Sequence, residues 1–532
     1  MSERATRREL LLRAAAAGLL TPSAAAVLAA CGDEDAPAPG STRRGTLRDA
    51  DGDGLLGRGP GLALVDRREL GGGGRPRRTL AFLGQLTDVH VRDAQSPGRV
   101  PFLDRLGPVL GSTFRPHELL GPHVLAAALR TLAAEGPQHL LVTGDVVDSA
   151  QRNELDWALG LLTGRSVRPD SGARGYRGVQ QASNPDPSYY RPDVDAPRHP
   201  GLLRRALRPV LAPRLSMPWW PALGNHDVLV QGEYAPTAAL TAAATGRRLQ
   251  VSVDLDDLPF GLAGRPTPAQ VDQLLAAGLP GDALTVPADP RRAHLRAAEA
   301  VERLRAAAPR PPRLADPARL DYAFAAADDV HVVVLDLVRR DGGSGGVVSP
   351  AALAALRAGL REAEDRWVVV ACHQPLHESD GAGPALALLD ADPRVVAVVA
   401  GHRHRNVVEP RRTPAGGYWL VTTSSLVDTP QQWRALRVVE TDRGSVALET
   451  WMVDHAGRPD DEGDLAGIAR DLAFLDAQGG RPFGAAGPPE ARNARLHLPR
   501  RAPRPPRRAG TRPARPPRPA PERGIGDGLT AG

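Results

Sequence analysis

The chain has 532 residues, of which 42% are hydrophobic and 24% charged, a balance typical of a globular protein. Its two cysteines, Cys31 and Cys372, exclude a disulfide scaffold, a thiolate zinc finger and an iron–sulfur cluster. The formal net charge of +6 arises from residues 492–523, which hold eleven Arg and one Glu, so the rest of the chain carries −4. This distribution argues against specific nucleic-acid binding by the folded part.

The first 31 residues have the pattern of an export signal. Arg7-Arg8 precedes an Ala- and Leu-rich stretch, as in a twin-arginine signal, and Leu28-Ala29-Ala30-Cys31 resembles a lipobox. Arg13 and Pro22 leave no uninterrupted apolar span of about 20 residues, which argues against a transmembrane anchor. We therefore predict export by the twin-arginine route. A lipidated Cys31 would attach the protein to the outer face of the membrane, and cleavage without lipidation would release it as a secreted protein.

Residues 32–78 are rich in Gly, Pro, Asp and Arg and are predicted to be a linker and lead-in segment. Beyond them, apolar runs alternate with helical periodicity, which predicts an α/β fold. Continuous Val and Leu runs are typical of sheets covered on both faces. Strands are expected at 80–86, 139–143, 219–223, 330–338, 367–372, 395–400 and 418–423, and helices at 118–134, 268–277, 291–307, from 350 onward and at 465–475.

Five of the predicted strands are followed directly by polar residues. Open α/β sheets place their functional sites beyond the carboxyl ends of the strands, so these residues are expected to meet at one edge. Glycines at the start of three blocks allow a sharp turn off the strand. The blocks are Asp88-Val89-His90, Gly144-Asp145-Val146-Val147-Asp148, Gly224-Asn225-His226-Asp227, His373-Gln374-Pro375-Leu376-His377 and Gly401-His402-Arg403-His404.

In this order the five blocks resemble the calcineurin-like metallophosphoesterase superfamily, and with the N-terminal signal they resemble its exported, twin-arginine, actinobacterial-type branch. The resemblance implies a two-sheet α/β sandwich at 79–479. Long connections at about 165–215 and 230–318 are expected to form cap insertions that set substrate choice, and a closing helix is expected at about 465–475. Residues 480–532 are predicted to be a disordered Arg/Pro-rich tail, because their composition cannot build a core.

The resemblance also implies a dinuclear centre that holds two divalent or trivalent transition-metal ions. Asp145 would bridge them, Asp88, His90 and His404 would complete one ion, and Asn225, His373 and His402 the other. Nitrogen and oxygen ligands without thiolate suit Mn, Fe or Zn and leave the choice among them open.

The implied activity is hydrolysis of a phosphomonoester or phosphodiester by in-line attack of a metal-bridging hydroxide. His226 would protonate the leaving group, and Asp148 would hold its imidazole. Helix capping is the alternative role for Asp148, and Asp227 is expected to brace the loop around Asn225. Two other functions stay open: a catalytically inactive scaffold of the same fold, and a cell-envelope protein that binds polyanions through the Arg tail. Substrate identity and oligomeric state stay open as well.

Overall fold

A computed structural model of the chain describes residues 40–106, 113–254, 257, 267–458, 463–476 and 483–500. The predicted export signal at 1–31 and the tail beyond residue 500 lie outside this range. Within the described residues, no helix combines the length and apolar character needed to cross a membrane.

The strands and helices alternate through the central part of the chain. The strands are β1 (Gly45–Arg48), β2 (Gly57–Pro60), β3 (Val65–Arg67), β4 (Pro76–Leu86), β5 (His139–Thr143), β6 (Trp219–Ala222), β7 (Arg248–Gln250), β8 (Ala283–Thr285), β9 (Tyr322–Ala327), β10 (Val330–Leu335), β11 (Trp367–Cys372), β12 (Val395–Ala400), β13 (Val407–Arg411), β14 (Tyr418–Thr422), β15 (Gln432–Thr441), β16 (Val446–Asp454) and β17 (Ala494–His497). The helices are α1 (Gly121–Glu135), α2 (Arg152–Leu162), α3 (Leu202–Ala206), α4 (Ala238–Thr245), α5 (Pro268–Ala277), α6 (Ala297–Ala307), α7 (Pro350–Glu362), α8 (Gly383–Asp390), α9 (Leu465–Leu475) and α10 (Pro489–Arg492).

Two mixed sheets form the predicted α/β sandwich. One has the strand order β3-β17-β16-β15-β4-β5-β6 and the other β13-β14-β12-β11-β10-β9. Strands β4, β5 and β6 run parallel in the first sheet, and β10, β11, β12 and β14 run parallel in the second. Residues from both sheets share one apolar core, which includes Leu83, Leu141 and Val399.

The second sheet is covered on both faces, as its apolar sequence predicts. Successive side chains of a strand point to opposite faces. On β10, Val332 belongs to the core between the sheets, whereas Val333 packs with residues of α7 and α8 in a second core. Helix α7 begins as predicted: the Ser349 side chain caps it by accepting a hydrogen bond from the Ala352 N–H, and Pro350 occupies the first turn.

Both predicted boundaries of the domain are wrong. Strands β1 to β3 lie within the predicted linker 32–78, and β17 lies within the predicted disordered tail 480–532. β17 pairs with β16, and β3 pairs with β17, so both segments extend the first sheet. Ala494 and Leu496 are fully buried while Arg495 pairs with Glu449. This two-residue alternation marks a strand, and it is hidden when the Arg-rich composition of the whole tail is averaged.

The two insertions pack on each other and on the loop that follows β4. The Tyr189 hydroxyl in the first donates to the Val251 carbonyl in the second, at 2.5 Å. Arg292, which is fully buried, donates from Nε to Asp93 Oδ2 at 3.1 Å and from Nη2 to Ser171 Oγ at 2.9 Å. Because Asp93 lies three residues after His90, this arginine anchors both insertions beside the predicted site.

Candidate metal centre

The seven side chains predicted to bind metal meet at one edge of the sandwich. They follow the carboxyl ends of β4, β5, β6, β11 and β12, where parallel strands deliver them to the same place. The rings of His90 and His404, which are 314 residues apart in the chain, have centroids 5.2 Å apart. Six of the seven are buried and one is half-buried: Asp88, His90, Asp145, Asn225, His373 and His404, with His402 the half-buried one.

The backbone at this edge adopts an unusual conformation. Non-glycine residues seldom have positive φ, and such strain collects at functional sites. Hydrogen bonds between loops hold the conformation, for example from His90 N–H to the Asp145 carbonyl at 3.0 Å. Five of the seven residues have φ between 47° and 68°: Asp88, His90, Asp145, His402 and His404.

Glycines allow the loops to approach closely. A Cβ on Gly401 would clash with Thr87 Oγ1 and Asp88 Oδ2, and one on Gly224 would clash with the backbone and carboxylate of Asp145. Two of the three glycines selected from the sequence are therefore required by packing against the carboxylates of the site.

The potential ligand atoms form three overlapping groups, in each of which the atoms lie within 4.8 Å of one another. His404 Nε2 lies 3.2 Å from Asp88 Oδ1, and His373 Nε2 lies 3.0 Å from Asp145 Oδ2. The groups are Asp88, His90 and His404; His90, Asp145 and His226; and Asp145, His373 and His402. They form one continuous cluster, because His90 and Asp145 each belong to two groups.

Two further atoms fit a cation at this cluster. His90 Nε2 is buried, has no hydrogen-bond partner among the described residues and lies 3.7 Å from Asp145 Oδ2. Asn225 Oδ1 lies 3.2 Å from His373 Nε2, and its amide nitrogen donates to the Gly232 carbonyl at 3.0 Å. A buried nitrogen without a partner is costly unless something binds it, and the nitrogen and oxygen donors suit a transition-metal ion.

Outer partners hold three of the imidazoles with Nε2 toward the cluster. His373 Nδ1 donates to the Thr143 carbonyl at 2.8 Å. His404 Nδ1 contacts the Asp428 carboxylate, and His90 Nδ1 lies 3.3 Å from Asp148 Oδ1. Metal-binding histidines usually have such a partner, which fixes both the ring and its tautomer.

Two buried arginines support the carboxylates that hold His90 and His404. Arg92 Nη2 lies 2.5 Å from Asp148 Oδ1, and Arg115 Nε lies 2.6 Å from Asp428 Oδ1. Both arginines also contact Glu118 Oε2, Arg92 through Nη1 at 2.9 Å and Arg115 through its backbone N–H at 3.3 Å. The two histidines of one predicted ion are thus each held by a carboxylate–arginine pair.

Sequence reasoning missed Arg92, Arg115 and Asp428. A signal existed for Asp428, since it stands six residues beyond the end of β14, after the polar run Thr423-Ser424-Ser425. The end of β14 is thus a sixth strand end that is followed by polar residues. Arg115 had no comparable signal, because only the three-dimensional structure brings it to Asp428.

The predicted contact between the Asp148 carboxylate and His226 is wrong. The carboxylate contacts His90, Arg92 and, through Oδ2 at 2.9 Å, the side-chain amide of Gln231. His226 Nδ1 instead lies 2.6 Å from the backbone carbonyl of Asp148. The buried Arg92 guanidinium requires a carboxylate partner, and it pairs with the Asp148 carboxylate. The alternative role is wrong too, because the N-cap residue of α2 is Gln151.

Asp227 braces a wider region than the sequence indicated. Its carboxylate accepts from the backbone N–H groups of Asp145 at 3.0 Å, Val146 at 2.8 Å and Gly224 at 2.8 Å. It therefore ties the turn after β5 to the turn after β6. Burial, reinforced by the Asp145 charge, raises the pKa of Asp227 to about 7.

The charges of the cluster shift the pKa values of its members in opposite directions. Burial alone would raise the pKa of Asp88, but His404 and His373 outweigh it and bring the pKa to about 2. Burial alone would lower the pKa of His373, but Asp145 and Asp88 raise it to about 10. Burial, with the nearby histidine charges, lowers the pKa of His90 to about 4 and that of His402 to about 3. The site thus favours anionic carboxylates together with neutral His90 and His402, which is the state that binds a cation.

Comparisons with known proteins find similarity among solved structures. No protein-family model matches the chain, and no curated protein matches it. The chain is similar to a dimetal phosphatase from Danio rerio, with 13% identity and a TM-score of 0.35 over 71% of this chain and 100% of that one. It is also similar to the sulfate thiohydrolase SoxB of Thermus thermophilus in complex with glycerol, with 13% identity and a TM-score of 0.28 over 76% and 61% of the two chains. At these TM-scores we base the function on the geometry of the site itself.

Proposed function

We propose that this protein is a dinuclear metal-dependent hydrolase of the calcineurin-like metallophosphoesterase superfamily, which cleaves a phosphomonoester or a phosphodiester. The observation that carries the proposal is the sharing of Asp145 between two adjacent groups of potential ligand atoms. Asp145 Oδ1 accepts from the His226 backbone N–H at 2.8 Å, and Oδ2, which has more than one lone pair, faces a histidine of each predicted ligand set. Asp145 Oδ2 lies 3.0 Å from His373 Nε2 on one side and 3.7 Å from His90 Nε2 on the other.

The residues divide into two ligand sets around Asp145. One set is Asp88, His90 and His404, and the other is Asn225, His373 and His402. Mn, Fe and Zn all suit these donors. Two such ions supply an activated water at neutral pH and neutralise charge on the phosphoryl oxygens.

His226 is the proposed proton donor to the leaving oxygen. A carbonyl oxygen only accepts, so Nδ1 of His226, 2.6 Å from the Asp148 carbonyl, carries a hydrogen. Nε2 is then the atom that exchanges a proton with substrate. The ring is half-buried and lies beside His90, with centroids 4.5 Å apart. A Cβ at Gly232 would clash with it, so this glycine leaves room for the imidazole.

The place of action is part of the proposal. The Arg7-Arg8 pair and the lipobox-like residues 28–31 support export by the twin-arginine route. A lipidated Cys31 would hold the enzyme at the outer face of the membrane, and the two insertions would act there as a cap that selects the phosphoester substrate.

A panel of phosphoesters tests the proposal. The purified chain, freed of metal and reloaded with Mn²⁺ or Fe²⁺, is incubated with monoesters, diesters, nucleotides and phospholipid head groups. A sulfate ester is included to separate phosphoryl from sulfuryl transfer. We expect metal-dependent release of phosphate or alcohol from at least one phosphoester.

Asp145→Asn should abolish this release, because it weakens the carboxylate shared by both ligand sets. Asp156→Asn is the matched control, since Asp156 is exposed on α2, where it pairs with Arg303. Hydrolysis of the sulfate ester alone, full activity in Asp145→Asn, or no hydrolysis of any phosphoester would each contradict the proposal.

A further inference from the structure

A cavity of about 510 Å³ is lined by none of the proposed metal ligands. Its walls come from the hairpin of β1 and β2, from α9, from α10 and from the segment that follows Asp428. The cavity is mixed in character: arginines and leucines line it together.

Three arginines line this cavity, and none forms an ion pair within the described part of the chain: Arg48, Arg470 and Arg492. Arg470 is only 2% exposed; it donates to the carbonyls of Gly457 and His455 at 2.7 and 3.0 Å, while its Nε has no partner. Arg492 donates from Nη2 to Thr46 Oγ1 at 3.1 Å, and its buried Nε also has no partner. By contrast, Arg495 pairs with both Glu449 and Asp66.

The carboxylates in the same walls are already engaged. Asp454 accepts from the Gln432 side-chain amide at 2.8 Å. Asp49 accepts from the backbone N–H groups of Gly52 at 2.7 Å and Gly54 at 3.0 Å, within its own turn. Burial lowers the pKa of Arg470 and of Arg492, against the opposing charge of Asp454. Three guanidinium groups and two carboxylates line the cavity, so its walls keep a net positive charge, which an anion would neutralise.

Apolar side chains line the same cavity. They are Leu47, Leu56, Phe474 and Leu475, and Leu475 has 41% of its surface exposed. Leu55, in the turn of the hairpin, is 63% exposed. A Cβ on the adjacent Gly54 would lie 3.3 Å from Leu475 Cδ2, so the hairpin and α9 present their leucines side by side. Large exposed apolar side chains at a cavity mouth favour a ligand with an apolar part.

We propose that this cavity binds an organic anion with an apolar tail. The anionic head would contact the guanidinium groups of Arg48 and Arg492 above Arg470, and the tail would lie along Leu47, Leu56 and Phe474. Head groups of the carboxylate, sulfonate and phosphate types share the chemistry that these arginines recognise.

Calorimetric titration of the full-length chain with octanesulfonate tests this site. Octanesulfonate has the anionic head and the tail but no ester to hydrolyse. The chain is freed of metal for this titration, so the result does not depend on the proposed function. We expect one octanesulfonate per chain. Methanesulfonate, which lacks the tail, should bind at least about 10-fold more weakly, and neutral 1-octanol should compete poorly.

The variants Arg48→Gln and Arg48→Gln/Arg492→Gln probe the head group. We expect the Kd for octanesulfonate to rise in the single variant and to rise by at least about 10-fold in the double variant. If the double variant does not fold, the single variant at the exposed Arg48 is the test. Arg361→Gln on α7, outside the cavity, is the matched control. Absence of binding, equal binding of octanol, equal binding of methanesulfonate, or a Kd unchanged by the arginine variants would each overturn the proposal.

Discussion

The carboxylate of Asp148 holds His90: Oδ1 lies 3.3 Å from the imidazole Nδ1, and both groups are buried. The neighbouring imidazole, His226, instead donates from Nδ1 to the backbone carbonyl of Asp148. This difference changes what Asp148 does in the proposed reaction. It positions a metal ligand, while the carbonyl that holds the proposed acid survives any substitution of the Asp148 side chain.

Asp148→Asn should therefore weaken metal binding and leave the leaving-group dependence unchanged. Partners of metal-binding histidines are typically worth about 10- to 100-fold in affinity, and we expect that range for one ion per chain. Bound metal is measured against free Mn²⁺, and hydrolysis is measured on esters with good and poor leaving groups. Asp156→Asn is again the control. Full metal binding, together with a loss of activity confined to esters with poor leaving groups, would contradict this prediction. It would indicate that the Asp148 carboxylate acts on His226.

Arg115→Ala should destabilise the fold itself. Arg115 is fully buried and pairs with the buried Asp428. Removing one partner of a buried ion pair leaves an uncompensated charge and typically costs about 3–5 kcal/mol. Urea unfolding of the metal-free chain measures the loss. Arg303→Ala breaks an exposed pair with Asp156 and should cost no more than about 1 kcal/mol. Equal costs for the two variants would show that Arg115 does not stabilise the fold through Asp428.

His226→Ala should retain both metal ions and slow the hydrolysis of ordinary alkyl phosphates by about 10²- to 10⁴-fold, the usual range for a general acid. p-Nitrophenyl phosphate should be affected much less, because its phenolate leaves without full protonation. Bound metal is counted in the same samples. Since His226 lies within reach of His90 and Asp145, loss of an ion would instead identify it as a ligand. Equal slowing of both esters would identify a residue that positions phosphate.

Mn²⁺ binding should release protons and strengthen as pH rises from about 7 to 10. The raised pKa of His373, about 10, means that its imidazole is protonated in the metal-free chain at neutral pH, whereas a ligand must be neutral. Each displaced proton should strengthen binding by roughly tenfold per pH unit. Calorimetry in buffers of different ionisation enthalpy counts these protons.

The same raised pKa has a consequence for the metal-free protein. Its charged His373 stabilises the fold fully below the unfolded pKa of about 6.5, and this contribution is lost as pH rises through about 10. Thermal unfolding in chelator should therefore show falling stability in that window.

A flat metal affinity between pH 7 and 9, without proton release, would contradict the assignment of His373 as a charged partner of Asp145.

Much of the sandwich was predictable because its strands are local apolar runs. His139–Thr143, Trp367–Cys372 and Val395–Ala400 were identified with their observed bounds. The predicted ligands come directly after strands of this kind in the chain. They meet because parallel strands bring their carboxyl ends to one edge. Strand β17 was missed because its partner β16 lies more than 40 residues earlier in the chain and its own composition resembles that of the tail.

Side-chain pairing was less predictable than the positions of the ligands. The resemblance implied that the Asp148 carboxylate holds His226, whereas the structure shows this carboxylate against His90. The choice depends on Arg92, which is buried with Asp148 and holds its Oδ1 at 2.5 Å. A buried arginine near a carboxylate in the same loop cluster is the signal that would have favoured the observed contact.

The most direct test of a shared, two-ion phosphoesterase centre is the rate of phosphate release as Mn²⁺ is titrated into the chelated chain. We predict that activity rises with bound metal and reaches its plateau at two ions per chain, and that Asp145→Asn never approaches that plateau. A plateau at one ion, or full activity with no bound metal, would contradict it.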